Sequence, residues 1–260
     1  MPAHRTAQET LYLSRANRVF PGYKLWLAYI MTKSVSWTTD AELFDLIRKY
    51  LFTAVIGDIM DTQGLQHQFL APAIQPLHPD MIVLGRAMPV MEADTAGLPA
   101  DHPLQQKPFG LMLEALDDLK PNEIYICTGS SPTYALWGEL MSTRARHLGA
   151  AGAVLDGYVR DTKGILRLGF PTFCWGRYAQ DQGPRGKVVD FRTSIVMSQV
   201  HIAPGDLVFG DVDGVLVIPA QHEKAVIHLA LEKALGEQTV RRAIENGMSA
   251  VQAFQNYGIM

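Results

Sequence analysis

The sequence predicts an α/β sandwich built on a mixed sheet, and three observations predict it. Short apolar runs of the buried-strand kind alternate with helical periods from Thr39 to Trp175. The stretch from Ser194 to Pro219 then turns β-rich, with turn signals at Pro204-Gly205-Asp206 and Asp213-Gly214. A long helical pattern from about Gln221 to Glu245 follows. Alternation of this kind lays helices on a sheet. With 48% hydrophobic content, 260 residues can bury a substantial core.

The elements follow in order. Thr39-Asp40-Ala41-Glu42 has the spacing of a capping box, and Leu43, Phe44, Ile47, Tyr50 and Leu51 share one face of the helix it opens. A second helix carries Val55, Ile56, Ile59 and Met60 and stops at Gly64. Pro72, Pro76 and Pro79 mark an irregular crossing, after which Met81–Val90 reads as strands around Gly85-Arg86. Phe109, Met112, Leu113, Leu116 and Leu119 have helical spacing, and Ile124–Cys127 is a buried strand.

Met141, Ala145 and Leu148 form the apolar stripe of a further helix, which Gly149 ends. Ala153-Val154-Leu155 is a strand with Arg160-Asp161 on its exit loop, and Thr162–Leu168 is a short helix ending at Gly169. Pro171–Trp175, Ile195–Ile202, Leu207–Phe209 and Val215–Ile218 read as strands, and Ser249–Tyr257 as a closing helix. Residues 1–37 stand apart as an N-terminal extension to a domain over 38–260. They read as a tail that packs on the domain or a neighbour, or as residues upstream of a start at Met31.

Composition excludes several classes. A net charge of −3 with scattered Lys and Arg leaves no footprint for nucleic acid. Cys127 and Cys174 lie in apolar runs and read as buried thiols, not metal ligands. The longest apolar run, Leu25 to Met31, is too short to span a bilayer, and the absence of a signal peptide and of a disulfide framework points to the cytoplasm. No dinucleotide or Walker loop opens a helix, and Ser130 and Ser131 lack a nucleophile-elbow context.

The stretch from Gly138 to Asp161 is the candidate site. Gly138-Glu139 opens a helix whose first amides suit a carboxylate, and strand-exit acids at such a crevice could hold a hard divalent ion. Competing readings stay open: Asp161 as a helix cap, Arg160 as a surface ion pair, and Glu139 as a first-turn acid complementing the helix dipole.

Gly138-Glu139-Leu140, with Gly149-x-x-Gly152-Ala153-Val154-Leu155-Asp156-Gly157-x-x-Arg160-Asp161, resembles the signature of the RraA-like family. That family includes metal-dependent aldolases of 4-hydroxy-4-methyl-2-oxoglutarate and 4-carboxy-4-hydroxy-2-oxoadipate. Asp58–Asp61, Gly85-Arg86-Ala87, Pro204–Val208, Asp211–Val215 and Ile218-Pro219 extend the resemblance over Asp40 to Met260.

The resemblance implies a swivelling α/β/β/α sandwich, a homotrimer or homohexamer with sites between protomers, and a divalent cation, Mg2+ or Mn2+. It implies Asp161 as the metal ligand and Arg160 on the substrate carboxylate and the developing enolate. The amides of Gly138, Glu139, Leu140 and Met141 would hold the pyruvyl group, and Glu139 would orient a basic water. Glu139 stands where the aldolases carry Asp. A glutamate from a neighbouring protomer is also implied, Glu237 first and Glu245 second. Trp137 and Tyr158 are candidates to line the pocket.

The activity implied is retro-aldol cleavage of a 4-hydroxy-2-oxo acid to pyruvate, with oxaloacetate decarboxylation as a side reaction. The alternatives are a non-enzymatic protein that binds ribonuclease E, whose members lack the acid after the arginine, and a related lyase or hydratase on another oxo acid.

Overall fold

The computed structural model describes residues 36–259. The expectations for residues 1–35, including the start at Met31, lie outside them. The described residues fall into two compact units, one over Phe52–Ile227 and one joining residues 36–51 with those from His228 onward.

The larger unit is built on an eight-stranded sheet. Four parallel strands form its centre: β2 (Val83–Asp94), β3 (Glu123–Thr128), β5 (Gly152–Leu155) and β7 (Thr172–Cys174). The short β1 (Gln75–Pro76) pairs antiparallel with β7 at one edge. Two antiparallel partners sit in tandem along the other side of β2: β12 (Leu207–Asp211) on its first half and β9 (Gly186–Phe191) on its second. β13 (Gly214–Ile218) completes the sheet by a hairpin with β12. The fold class is therefore the mixed α/β class read from the sequence.

Alternation along the strands sorts the core into two layers. Met88, Val90, Tyr125, Cys127, Ala153 and Leu155 point to one face. They pack with residues of α3 (Met112–Asp117), α4 (Glu139–His147) and α5 (Thr162–Leu168). Ala87, Ile124, Ile126, Val154 and Phe173 point the other way, onto a hairpin of β10 (Ile195–Met197) and β11 (Val200–Ile202). The sequence suggested one β-rich run over Ile195–Ile202. The chain instead reverses at Ser198-Gln199, where both residues take φ above zero (51° and 71°), the pairing a two-residue hairpin turn requires.

A second, three-stranded parallel sheet escaped the sequence reading. β4 (Ala135–Trp137), β6 (Tyr158–Val159) and β8 (Gly176–Arg177) each follow a strand of the main sheet within a few residues. Thus β3, β5 and β7 each run on into a short strand of the second sheet, and β4 and β6 lead into α4 and α5.

In the same unit α2 (Thr53–Thr62) has its first amide and Thr53 Oγ1 bound to the Asp211 carboxylate, at 2.8 and 2.7 Å. The smaller unit contains α1 (Asp40–Tyr50), where the predicted capping box forms: Thr39 caps the Glu42 amide, and Glu42 returns to the Thr39 amide. Trp37 stacks on His228 with ring centroids 4.8 Å apart. α6 (Glu223–Glu245) and α7 (Ala250–Tyr257, with a Ser249–Gln252 capping box) follow the predicted pattern. Among the described residues no helix is long and apolar enough to cross a membrane.

Candidate active site

The predicted residues meet at the carboxyl edge of the three-stranded sheet. Sequence reasoning put Arg160-Asp161 on the exit loop of β5; the structure corrects this by interposing β6, so the pair leaves the second sheet instead. The Arg160 amide donates to the Trp137 carbonyl at 2.9 Å, which sets Arg160 beside the end of β4 and next to Gly138. The turn into α4 is braced from below. Trp137 Nε1 donates to Ser142 Oγ at 2.6 Å, and Ser142 Oγ donates to the Gly138 carbonyl at 3.0 Å. Trp137 is buried and stacks on Phe170, so it supports the turn and does not line a pocket. Tyr158 is half-buried, edge-on to Trp175 and Tyr178.

Asp161 carries the strongest local signal. It occupies the position before α5 where a cap would sit, yet its side chain makes no capping bond. The capping reading therefore fails. Its backbone is left-handed (φ 55°, ψ 32°), a conformation that Asp and Asn tolerate better than other side chains but that still carries strain. Strain of this kind persists where the surroundings over-determine it, commonly at sites of function.

The carboxylate lies against Gly138: a Cβ there would stand 2.8 Å from Asp161 Oδ2. Glycine is needed at 138 for that close approach, since its own backbone is extended. Asp161 Oδ2 also lies 3.8 Å from Arg160 Nε.

Glu139 is the first residue of α4, and its carboxyl group folds over α5. A Cβ at Gly164 would stand 2.0 Å from Glu139 Cδ, so a second glycine makes room for the acid. Arg167 Nη2 donates to Glu139 Oε1 at 3.4 Å, an exposed and weak tether. Gly138 gives α4 no side-chain cap, which leaves the first amides of the helix, over Glu139, Leu140 and Met141, without a side-chain cap among the described residues. Leu140 itself is strongly exposed, 83%.

A cleft of about 500 Å³ opens here, lined by Glu139, Asp161, Lys163, Gly164, Arg167 and Arg177 among others. Two carboxylates thus face three cations, a set that suits a small anion. The sequence reading gave Lys163 no role and passed over Arg167 and Arg177; Lys163 and Arg167 share a face of the predicted helix at i, i+4, whereas Arg177 joins them only because β8 and α5 come together in the fold.

The residues fit a hard divalent cation of the kind that keeps its waters. Asp161 offers a half-exposed carboxylate unspent on capping, in a notch that a side chain at 138 would fill. Among the described residues no group of three or more His, Cys, Asp or Glu is arranged around a metal position. One carboxylate with water and substrate oxygens is how Mg2+ is commonly held, whereas a dedicated cage would be expected for zinc. Glu237 lies on α6, its Oε1 3.8 Å from Lys233 Nζ, and Glu245 is exposed at the end of that helix. Cys127 and Cys174 are free and buried, as expected, and burial pushes the Cys174 thiol up to about 11.

Fold and site together define a mixed α/β protein with an acid–arginine pair set against an uncapped helix start. The chain belongs to the RraA-like family (Aldolase/RraA), whose profile matches residues 53–217. A protein of Halalkalibacterium halodurans, provisionally named a 4-hydroxy-4-methyl-2-oxoglutarate aldolase, is 31% identical over 203 residues, covering 78% of this chain and 89% of that protein. Streptomyces coelicolor RraAS2, described as an unusual member of the RNase ES inhibitor RraA family, superposes with a TM-score of 0.68 at 20% identity. That likeness covers 79% of this chain and 99% of the other, and speaks to the fold alone. A structure from a series on novel cellulases of gut-associated microbes gives a TM-score of 0.70 at 26% identity over 79% and 90% of the two chains.

Proposed function

We propose that the chain is a divalent-metal-dependent lyase that cleaves a 4-hydroxy-2-oxo acid, such as 4-hydroxy-4-methyl-2-oxoglutarate, to pyruvate. The family and the named relative support an aldolase-type function. The observation that carries the finer reading is the Asp161 carboxylate, unspent on capping, strained in its backbone and seated against Gly138 beside Arg160.

The residues divide the work by chemistry. The first amides of α4 receive the carboxylate of the pyruvyl end. Asp161 would hold a Mg2+ or Mn2+, which when bound supplies Lewis-acid polarisation of the 2-oxo group. Glu139 orients a water that takes the proton of the C4 hydroxyl. As the new carbonyl forms at C4, the C3–C4 bond breaks and its electron pair moves to the C2 oxygen. Arg160 supplies a fixed positive charge to that oxygen. Protonation at C3 then gives pyruvate, and with 4-hydroxy-4-methyl-2-oxoglutarate the other fragment is pyruvate too.

Oxaloacetate would lose CO2 through the same enolate. A glutamate from a neighbouring copy, Glu237 or Glu245, would complete the site in a homotrimer or homohexamer in the cytoplasm. A regulator that binds ribonuclease E would call for a member lacking the acid after the arginine, and Asp161 is present. A cleft of about 500 Å³ with three cations suits a small dianion better than a neutral polysaccharide.

The test is pyruvate release measured by NMR from 4-hydroxy-4-methyl-2-oxoglutarate, oxaloacetate and shorter 4-hydroxy-2-oxo acids, with Mg2+ and with EDTA. Metal-dependent release from the six-carbon hydroxy acid is expected. Equal release in EDTA, or none from any acid, would overturn the reading.

A further inference from the structure

We infer that Asp181, a residue outside the stretch that marks the site, is the positioning residue for Arg160; this rests on the lyase reading for its meaning in catalysis. Arg160 Nη1 stands 2.7 Å from Asp181 Oδ1, closer than its Nε stands to the adjacent Asp161, 3.8 Å. The guanidinium is thus drawn between two acids, and the tighter partner is the distant one.

Asp181 is itself fixed by bonds that do not involve Arg160. Its Oδ2 accepts from the Gly183 amide at 3.2 Å, and its carbonyl accepts from Arg185 Nη1 at 2.9 Å. The next residue, Gln182, is buried and donates from Nε2 to Glu92 Oε1 at 2.8 Å, while the Gln180 carbonyl accepts from the Ala135 amide at 2.9 Å. The loop around Asp181 is therefore tied to the end of β2 and to β4, the strand that delivers Gly138.

An isolated exposed ion pair contributes little to stability. A pair with one partner already immobilised does something else: it removes rotamer freedom from a long side chain before substrate arrives. It also has a second effect. Without Asp181, the nearest acid to Arg160 is Asp161, and a full pairing there would occupy an oxygen that the cation needs. Asp181 holds the guanidinium in reach of the substrate oxyanion while leaving the Asp161 carboxylate open.

The test is a double-mutant cycle on kcat and KM for pyruvate release, using Asp181→Asn, Asp181→Glu, Arg160→Lys and the Asp181→Asn, Arg160→Lys pair, together with the guanidinium 15N signals of Arg160. Asp181→Asn is expected to lower kcat/KM at least tenfold, Asp181→Glu to restore part of it, and Asp181→Asn to cost less than twofold once Arg160 is Lys. An equal loss in both backgrounds would mean that Asp181 merely braces its loop, and would overturn the inference. If wild type releases no pyruvate, the lyase reading falls but the positioning claim is still decided. Slowly exchanging Nη signals of Arg160 in wild type that average out in Asp181→Asn support it, and signals indifferent to the substitution overturn it.

Discussion

The parallel strands of the eight-stranded and the three-stranded sheet end in different ways. At the carboxyl edge of the eight-stranded sheet Glu92 is sealed in, with exposed Asp94 and half-buried Asp156 nearby. Glu92 is 2% exposed, accepting from Gln182 and Tyr134, and Thr128 Oγ1 donates to Asp156 at 2.7 Å. Burial pushes the Glu92 carboxyl up to about 8, and its second oxygen has no hydrogen-bond partner among the described residues. At the carboxyl edge of the three-stranded sheet the charged groups stay half-exposed around an open cleft.

Both edges gather acids at the ends of parallel strands. What separates them is the Gln180–Gly186 segment, which buries Gln182 against Glu92 over the first but leaves Asp181 half-exposed at the second. Acids at a strand edge are therefore not enough to mark a site; the edge must also remain open to solvent.

The comparison breaks most sharply at Asp161. Asp161→Asn keeps a residue that tolerates the left-handed backbone and removes the charge. It should lower kcat/KM for pyruvate release by about a thousandfold, roughly 4 kcal/mol of transition-state stabilisation, with an unchanged circular-dichroism spectrum. Glu139→Gln should cost less, about a hundredfold, as expected for a group that orients a base. Gly164→Ala should approach the same loss without touching the acid, because the new Cβ displaces the Glu139 carboxyl. Steady-state kinetics with retained melting temperature would check both. A Gly164→Ala enzyme at wild-type rate would remove Glu139 from the mechanism.

The closed edge predicts a pH effect on stability instead. Asp94, Tyr134, Lys187, Tyr125 and Cys127 share the surroundings of Glu92. Its folded pKa lies above the ordinary carboxylate value, so the folded state holds a proton that the unfolded state releases. Stability should fall as pH rises from about 4.5 to about 8 and level off above, by on the order of a few kcal/mol. Melting curves across that range should flatten in Glu92→Gln. The smallest effect is expected for Trp137→Phe, which removes the bond to Ser142 and should lower stability by about 1 to 2 kcal/mol, read by urea unfolding.

Much of this architecture was legible before folding, for reasons that are local. The Thr39–Glu42 capping box, the glycine stops at Gly64, Gly149 and Gly169, and the Asp213-Gly214 hairpin each depend on a few neighbouring residues. The site stretch from Gly138 to Asp161 was legible because the chain brings its parts back after a single strand–helix passage. The second sheet was not, since β6 and β8 are two residues each and carry no period. β9 was missed as well; its pairing is with the far half of β2. Arg177 joins the site only through the pairing of β8 with β6, and Asp181 only through its ion pair with Arg160, contacts that no spacing in the sequence records.

The most direct test of the central claim is a coupled assay of pyruvate release with lactate dehydrogenase and NADH, run on wild type and Asp161→Asn with Mg2+ and with EDTA. Turnover confined to wild type with Mg2+ is the predicted result. Wild-type turnover that survives EDTA, or that survives in folded Asp161→Asn, would contradict the account of the open edge as a metal-dependent lyase site.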